Sequence, residues 1–343
     1  MTNIRYEIFP QMEYYDNMPA GITVPYAMLA GPSNVSSKEI NTDKFGFRKS
    51  VDGNKSYSVE EIGNYEEVNI VIGGSTVFGV GSTNDDKTIA SLLTQRTNEV
   101  WLNMGIRGAV SLSEYIHLIR FVHKAKKIKK IYFFSGVNDI YVNLMCDNES
   151  LFDHTFIDPL WNQSLKDRLC GKFASIFYGV EPTELVDITN KQRLFYPFVS
   201  KNQNKKIVSL NEQTEIIIDQ YKRNMLLYSA LMKTMDIDIS FVFQPMAHWT
   251  KKRLTHQEQE VFNYLDKLQI GSKWEANKDK LSHELYDQLN DRMRDISESN
   301  GIKYVDSNPF FKDDLTYFVD FVHLTDEGNK KAVELILDEM YDN

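Results

Sequence analysis

The sequence predicts an α/β protein in which a parallel sheet is covered by helices on both faces. Three observations carry that expectation. From Val68 onward, short apolar runs alternate with stretches of helical spacing, as successive βαβ units do. The run at 128–134 is dominated by apolar residues, as in strands buried on both faces. Gly, Ser and Asn gather just beyond these runs, and open α/β sheets bind ligands at the carboxyl ends of their strands.

Taken in order, residues 1–66 are rich in Tyr, Asn, Gly and Pro with little periodicity. They read as an irregular extension packed on the core, with 67–343 as the main domain. Residues 68–72 are the first strand, a β-branched run ending at Gly73-Gly74. A helix over 85–97 opens on Asp, which suits the positive end of its dipole. A second strand lies near 100–102. Ser111 or Ser113 caps a helix to about residue 126, and 128–134 is the third strand. An aromatic-rich insertion, about 141–206, then interrupts the pattern. Helical spacing returns over 212–235, and a fourth strand over 237–243 closes at Gln244-Pro245. Charged helical sequence follows, then a short strand at 302–305 and a last helix over 326–341 with acidic residues at its start. No internal repeat or low-complexity segment is visible.

Composition excludes several classes. A net charge of −9 leaves no broad basic face, so nucleic acid and anionic membranes are not expected partners. Two cysteines, Cys146 and Cys170, supply neither a disulfide framework nor a Cys-rich zinc site. Glu7, Glu13 and Asp16 interrupt the N-terminus, and no run approaches ~18 apolar residues. A cytoplasmic location is therefore expected, while the oligomeric state is not legible.

Four blocks fall at or just beyond the expected strand ends. The first is Gly73-Gly74-Ser75-Thr76-Val77-Phe78-Gly79. Glycines before a serine let the chain turn sharply, so that the hydroxyl stands at a helix start among free amide N–H groups. An ordinary Gly-Ser turn is the competing explanation. A Walker A loop fails because Val80 and Gly81 follow Gly79, and the Rossmann pattern fails because Ser82, Thr83 and Asn84 follow Gly79-Val80-Gly81. An α/β-hydrolase elbow fails because Val77 holds the place of its second glycine. The second block, Asn103-Met104-Gly105-Ile106-Arg107-Gly108, can offer a backbone N–H at close range, and the third, Gly136-Val137-Asn138-Asp139, an amide side chain. The fourth is Asp320-Phe321-Val322-His323. Of the seven histidines only His323 has Asp three residues before it, a spacing that brings a carboxylate to Nδ1 within one turn. Each block alone is equally an ordinary loop. Together they supply a serine, a base with its carboxylate, and oxyanion donors, the parts needed for acyl transfer through a covalent intermediate.

On these residues the sequence resembles the SGNH subgroup of the GDSL esterases and lipases. The matching positions are Gly74-Ser75, Asn103-x-Gly105-x-x-Gly108, Gly136-x-Asn138-Asp139 and Asp320-x-x-His323. The resemblance covers about 68–140 and 210–341, and residues 41–48, ending Gly46-Phe47-Arg48, look like a lead-in segment of its bacterial surface-glycan members. The first block reads Gly-Gly-Ser-Thr where many members have Gly-Asp-Ser. The resemblance implies a flavodoxin-like three-layer α/β/α sandwich with no metal or organic cofactor. It implies Ser75 as nucleophile, His323 as base and Asp320 as its orienting carboxylate. The N–H groups of Ser75 and Gly105 and the Asn138 side chain would then be the oxyanion donors.

Substrate contacts are expected from Tyr141 and the aromatic insertion after Asn138, and from Gln244, His248 and Trp249 beyond the fourth strand. Asp153, His154 and Asp158 make too poor a ligand set for a metal site, and packing of the insertion on itself competes with a lid or wall. The expected function is a serine esterase removing an O-acyl group, acetyl first among them, from a saccharide or related small metabolite. An O-acyltransferase with the same triad is the alternative, and a non-catalytic glycan-binding protein is the second.

Overall fold

The computed structural model describes residues 3–18, 22–24, 28–145, 209–268 and 277–341. The aromatic insertion from 146 to 206, with Cys146, Cys170 and the Asp153-His154-Asp158 set, lies outside the described residues. The chain forms two units, Met1–Tyr141 with Thr214–Asn343, and Val142–Gln213.

The first unit is built on a parallel sheet. Ahead of it come α1 (Ile4–Ile8), α2 (Gln11–Asn17) and two antiparallel hairpins, β1 (Ile22–Val24) with β2 (Met28–Ala30) and β3 (Ser50–Asp52) with β4 (Lys55–Tyr57). The core then runs β5 (Val68–Gly73), α3 (Ser75–Phe78), α4 (Ile89–Thr97), β6 (Trp101–Gly105), α5 (Ser111–Val122), β7 (Ile128–Ser135) and α6 (Val137–Met145). It resumes with α7 (Leu210–Met235), β8 (Asp238–Phe243), α8 (His256–Leu268), α9 (His283–Ser299), β9 (Lys303–Asp306) and α10 (Asp326–Ile336). The sheet order is β6-β5-β7-β8-β9, all parallel. Counted within the sheet this is 2-1-3-4-5, the flavodoxin-like order expected from the resemblance. Among the described residues no helix is long and apolar enough to cross a membrane.

That order puts the topological switch at β5, whose neighbours on either side are reached by connections leaving in opposite directions. Register sharpens the point. Gly73 pairs with both Gly105 and Phe134, Ser135 with Phe243, and Phe243 with Asp306. The five strands therefore end level, and the loop after each strand starts at the same edge.

Every residue of β5 and β6 is buried. Aromatic rings pack on both faces of the sheet: Trp101 against Tyr132 at 5.0 Å between centroids on one, and Phe133 stacked on Tyr228 at 3.8 Å on the other. Near the start of β7 the register with β5 shifts between Val68 and Ile70, so one strand carries an extra residue around Lys129-Lys130. Lys129 then pairs with Glu99 at 2.7 Å. Of the second unit, the described residues are the end of α6 and the start of α7, where the Gln213 amide donates to the carbonyls of Asn143 and Leu144.

The segment before the sheet is tied in by buried polar groups. Arg48, fully buried, donates Nε to Asp85 at 2.7 Å, Nη1 to Tyr15 Oη and the carbonyls of Phe78 and Gly79, and Nη2 to the Glu39 carbonyl. A second buried pair joins the start of α8 to the segment before α10. The Lys252 ammonium donates to Glu258 at 2.5 Å and to the Leu315 carbonyl at 2.8 Å, with both side chains fully covered. Glu258 in turn accepts from the N–H groups of Thr255, Tyr317 and Phe318. Removing one partner of such a pair leaves an uncompensated buried charge. Lys252→Met is therefore expected to lower unfolding free energy by about 3–5 kcal/mol, read from urea titrations; a loss below ~1 kcal/mol would show that water reaches Glu258 in its place.

Candidate active site

The site grows from the end of β5. Gly74 leaves the strand and Ser75 opens α3, a single turn closed at once by Gly79. The Gly79 N–H reaches the Ser75 and Thr76 carbonyls, and the Val80 N–H also reaches Ser75 O. Ser75 stands half-buried while Thr76, Val77 and Phe78 are buried. The serine is thus presented by a turn whose other side chains are anchored.

His323 comes from a tight hairpin ahead of α10, in which Phe318 bridges Leu324 and the Val319 N–H meets the His323 carbonyl. Its Nε2 lies 2.6 Å from Ser75 Oγ, and its Nδ1 lies 2.7 Å and 2.9 Å from the two Asp320 oxygens. A carboxylate only accepts, so Nδ1 carries the proton and Nε2 faces the serine as acceptor. Asp320 Oδ1 also accepts the N–H groups of Val322 and His323, and Oδ2 accepts Arg5 Nη2 at 2.9 Å. Burial pushes the Asp320 carboxyl up, but the charge and hydrogen bond of His323, the charge of Arg5 and the Val322 N–H outweigh it. The net effect holds the group well below the usual carboxylate range.

The serine turn and the histidine hairpin are laced together. Gln244 Nε2 donates to Thr76 Oγ1 at 2.8 Å and to the Val322 carbonyl at 3.4 Å, and Thr76 Oγ1 donates to that same carbonyl. The Ala247 N–H meets the Phe321 carbonyl.

The second and third blocks meet the same edge. Asn138 donates Nδ2 to the Ala109 carbonyl at 2.6 Å, and a Cβ on Gly74 would lie 2.5 Å from that nitrogen, so the amide sits directly against the serine turn. Asp139 accepts from Ser111 N and Oγ, which anchors α5. Beneath it, burial and the Asp139 charge push the Glu114 carboxyl well above its usual range.

The expected oxyanion donor Gly105 needs correction. Its N–H is spent on Asn103 Oδ1 at 2.9 Å, and a Cβ there would fall 2.0 Å from Phe78 N. Gly105 is required for backbone contact between β6 and α3, which leaves no room for a ligand. Among the described residues two N–H groups of this block have no partner, those of half-buried Arg107 and of Gly108, and Gly108, at φ +76° beside Ala109, is the glycine of the pair. Both glycines stand in the sequence block; the turn that frees one and engages the other is not written there.

The expected substrate contacts divide. Trp249 is buried, donates to the Leu281 carbonyl and packs on Phe243 and Tyr286, and Gln244 is buried in the lacing above; neither offers a face to a ligand, because both complete the core under the site. His248 is exposed and stacks at 5.6 Å on Phe321, which lies between Asp320 and His323 in the hairpin. Tyr141 lies half-buried on α6, one turn beyond Asn138, and burial pushes its hydroxyl up. Among the described residues no group of three His, Cys, Asp or Glu is placed to hold a metal. Sequence reasoning missed Arg5, 315 residues from Asp320.

No family model matches the sequence, and no curated protein does. The structure is similar to an acetyl xylan esterase, AlAXEase, at 13% identity and TM-score 0.41, over 80% of this chain and 99% of that one. It is also similar to a carbohydrate acetylesterase family member from Sinorhizobium meliloti, at 12% identity and TM-score 0.37, over 79% and 95%. A member of the lipolytic protein G-D-S-L family from Veillonella parvula matches at 10% identity and TM-score 0.39, over 81% and 100%.

The depressed Asp320 ionisation has a consequence for stability. The unfolded chain holds this proton more tightly than the folded one, so the contribution is complete above about pH 5 and fades as pH falls through the acid range. The difference in urea midpoint between wild type and Asp320→Asn is expected to shrink from pH 5 to pH 2. A difference constant over that range would mean the carboxylate is not held ionised by the fold.

Proposed function

We propose that this chain is a serine-dependent carboxylic ester hydrolase that removes an O-acyl group, acetyl first among them, from a saccharide or related small molecule. The observation that carries the reading is the continuous line Ser75 Oγ, His323 Nε2, His323 Nδ1, Asp320, with contacts of 2.6 Å and 2.7 Å. The acetyl and saccharide parts rest on the resemblance of the four sequence blocks. The exposed His248 ring, stacked on Phe321 between Asp320 and His323, supports them with a flat aromatic face of the kind a sugar ring packs on.

In this reading Ser75 Oγ attacks the ester carbonyl while His323 Nε2 takes its proton. Asp320 stabilises the imidazolium that forms and keeps Nε2 aimed at the serine. Negative charge on the former carbonyl oxygen is met by the Ser75 N–H at the first turn of α3, the Gly108 N–H and the Asn138 amide. The leaving alkoxide takes the proton from His323, leaving an acyl group on Ser75. Water, deprotonated by the same nitrogen, attacks the acyl carbon and restores the serine as the carboxylic acid departs.

Ser75→Ala is expected to abolish hydrolysis of an activated acetate ester with the circular dichroism spectrum unchanged, and a serine-directed phosphonate to label wild type at Ser75. Full activity in Ser75→Ala with labelling elsewhere would overturn the assignment. Asn138→Ala is expected to lower kcat on the order of 100-fold to 1,000-fold with little change in KM, since an oxyanion donor acts mainly where charge develops. An unchanged kcat would remove the amide from the reaction.

A further inference from the structure

Asp320 is held by a residue from the far end of the chain. Arg5 on α1 has its side chain only 12% exposed and bridges two carboxylates with its planar fork. Nη1 donates to both oxygens of Asp16 on α2, at 3.0 Å and 2.7 Å, and Nη2 donates to Asp320 Oδ2 at 2.9 Å, while Nε is buried without a partner among the described residues. Asp320 Oδ2 is the oxygen closer to His323 Nδ1. Guanidinium and imidazole therefore share one carboxylate oxygen.

We propose that Arg5 is a positioning residue of the triad: it fixes the Asp320 carboxylate and offsets part of its charge, so the N-terminal helices set the pH range in which His323 works as a base. This rests on the esterase reading given above. Two physical effects follow from the geometry. The Oδ1 side of Asp320 is occupied by two backbone N–H groups and the Oδ2 side by Arg5, so the carboxylate cannot turn away from Nδ1. The guanidinium also opposes a second positive charge on the ring, which favours the neutral imidazole that accepts the serine proton.

The charges facing this cluster are few. From α1 and α2 they are Arg5, Asp16 and Glu13, with the Tyr6 hydroxyl, which burial and then Asp16 push up. From the loop after β6 comes Arg107, whose ionisation burial disfavours and Asp16 supports. From the hairpin come Asp320 and His323, and from the loop after β8 comes His248, stacked on Phe321, whose protonation burial disfavours. The helix α8 packs on α1, and its carboxylates are paired elsewhere, Glu258 with Lys252, Glu260 with His256 and Asp266 with Lys278. Arg5 is thus the one cation bonded to the triad carboxylate among the described residues, with Asp16 as its counter-charge.

The test uses Arg5→Gln, Arg5→Lys and Asp16→Asn in the full chain, with two readouts. The first is the pH profile of kcat/KM on an activated acetate ester. Arg5→Gln is expected to lower turnover and move the acidic limb upward by about one pH unit, because the ring then feels an uncompensated carboxylate. Arg5→Lys keeps the charge and returns the limb to its wild-type place, though without the two-carboxylate fork its kcat stays below wild type. Asp16→Asn removes the opposing charge and moves the limb the other way. The second readout is the NMR titration of the His323 ring, assigned by loss of its signals in His323→Ala, which needs no turnover. An upward shift in Arg5→Gln without any esterase activity would uphold the coupling and sink the esterase reading. A uniform loss of rate, with limb and ring titration unmoved in Arg5→Gln and Asp16→Asn, would overturn the proposal and leave Arg5 a structural clamp.

Discussion

One buried cation joins the serine turn to the part of the chain that precedes the sheet. Arg48 has no exposed side-chain surface and spends its guanidinium on Asp85, Tyr15 Oη and the carbonyls of Glu39, Phe78 and Gly79. The Phe78 and Gly79 carbonyls belong to the turn that presents Ser75, and helix geometry leaves such terminal carbonyls without intrahelical partners. A planar donor set with several N–H groups can satisfy them together, whereas a point ammonium cannot. The single Tyr15 O–H is shared between the Gly79 and Ser82 carbonyls, 2.6 Å and 2.9 Å away. The serine's position therefore depends on Arg48 and Tyr15, 27 and 60 positions before it, in a segment that contributes no strand to the sheet.

Around that anchor, the site is made by backbone contact. The five strands end in register, so the serine turn, the Gly105–Ala109 loop, the start of α6 and the Gln244 loop share one edge. The backbones of Gly105 and Phe78 approach too closely for any Cβ. This approach carries the second block under the serine turn, and Asn138 then bonds Ala109 from the other side. Polar side chains only fasten what the strand ends have brought together.

The histidine hairpin is fixed from three directions. Glu258 and Lys252 hold its approach at Leu315, Tyr317 and Phe318. Gln244 and Thr76 hold the Val322 carbonyl, and Arg5 holds Asp320. Each contact lowers the freedom of a segment that keeps an imidazole within hydrogen-bond reach of a hydroxyl, and preorganisation of this kind is what the proposed covalent mechanism needs.

The sequence by itself determined the α/β class, the five strands and the Asp-x-x-His pair, because these are local: apolar runs, glycine breaks and a three-residue spacing act through neighbouring residues. It also placed Ser75 and Asn138 just beyond strand ends, where the fold puts them. Tertiary structure alone decided the rest. Whether Gly105 or Gly108 keeps a free N–H depends on which carbonyl or amide lies opposite, and Asn103 takes the first. Trp249 and Gln244 sit beyond a strand end as expected, yet the packing of Tyr286 and the hairpin covers them. Arg5 and Asp320 carry no shared pattern at all, since an ion pair across 315 positions exists only once the chain has folded back on itself. Local periodicity cannot encode such meetings, because they are set by the sum of many weak packing choices along the whole chain.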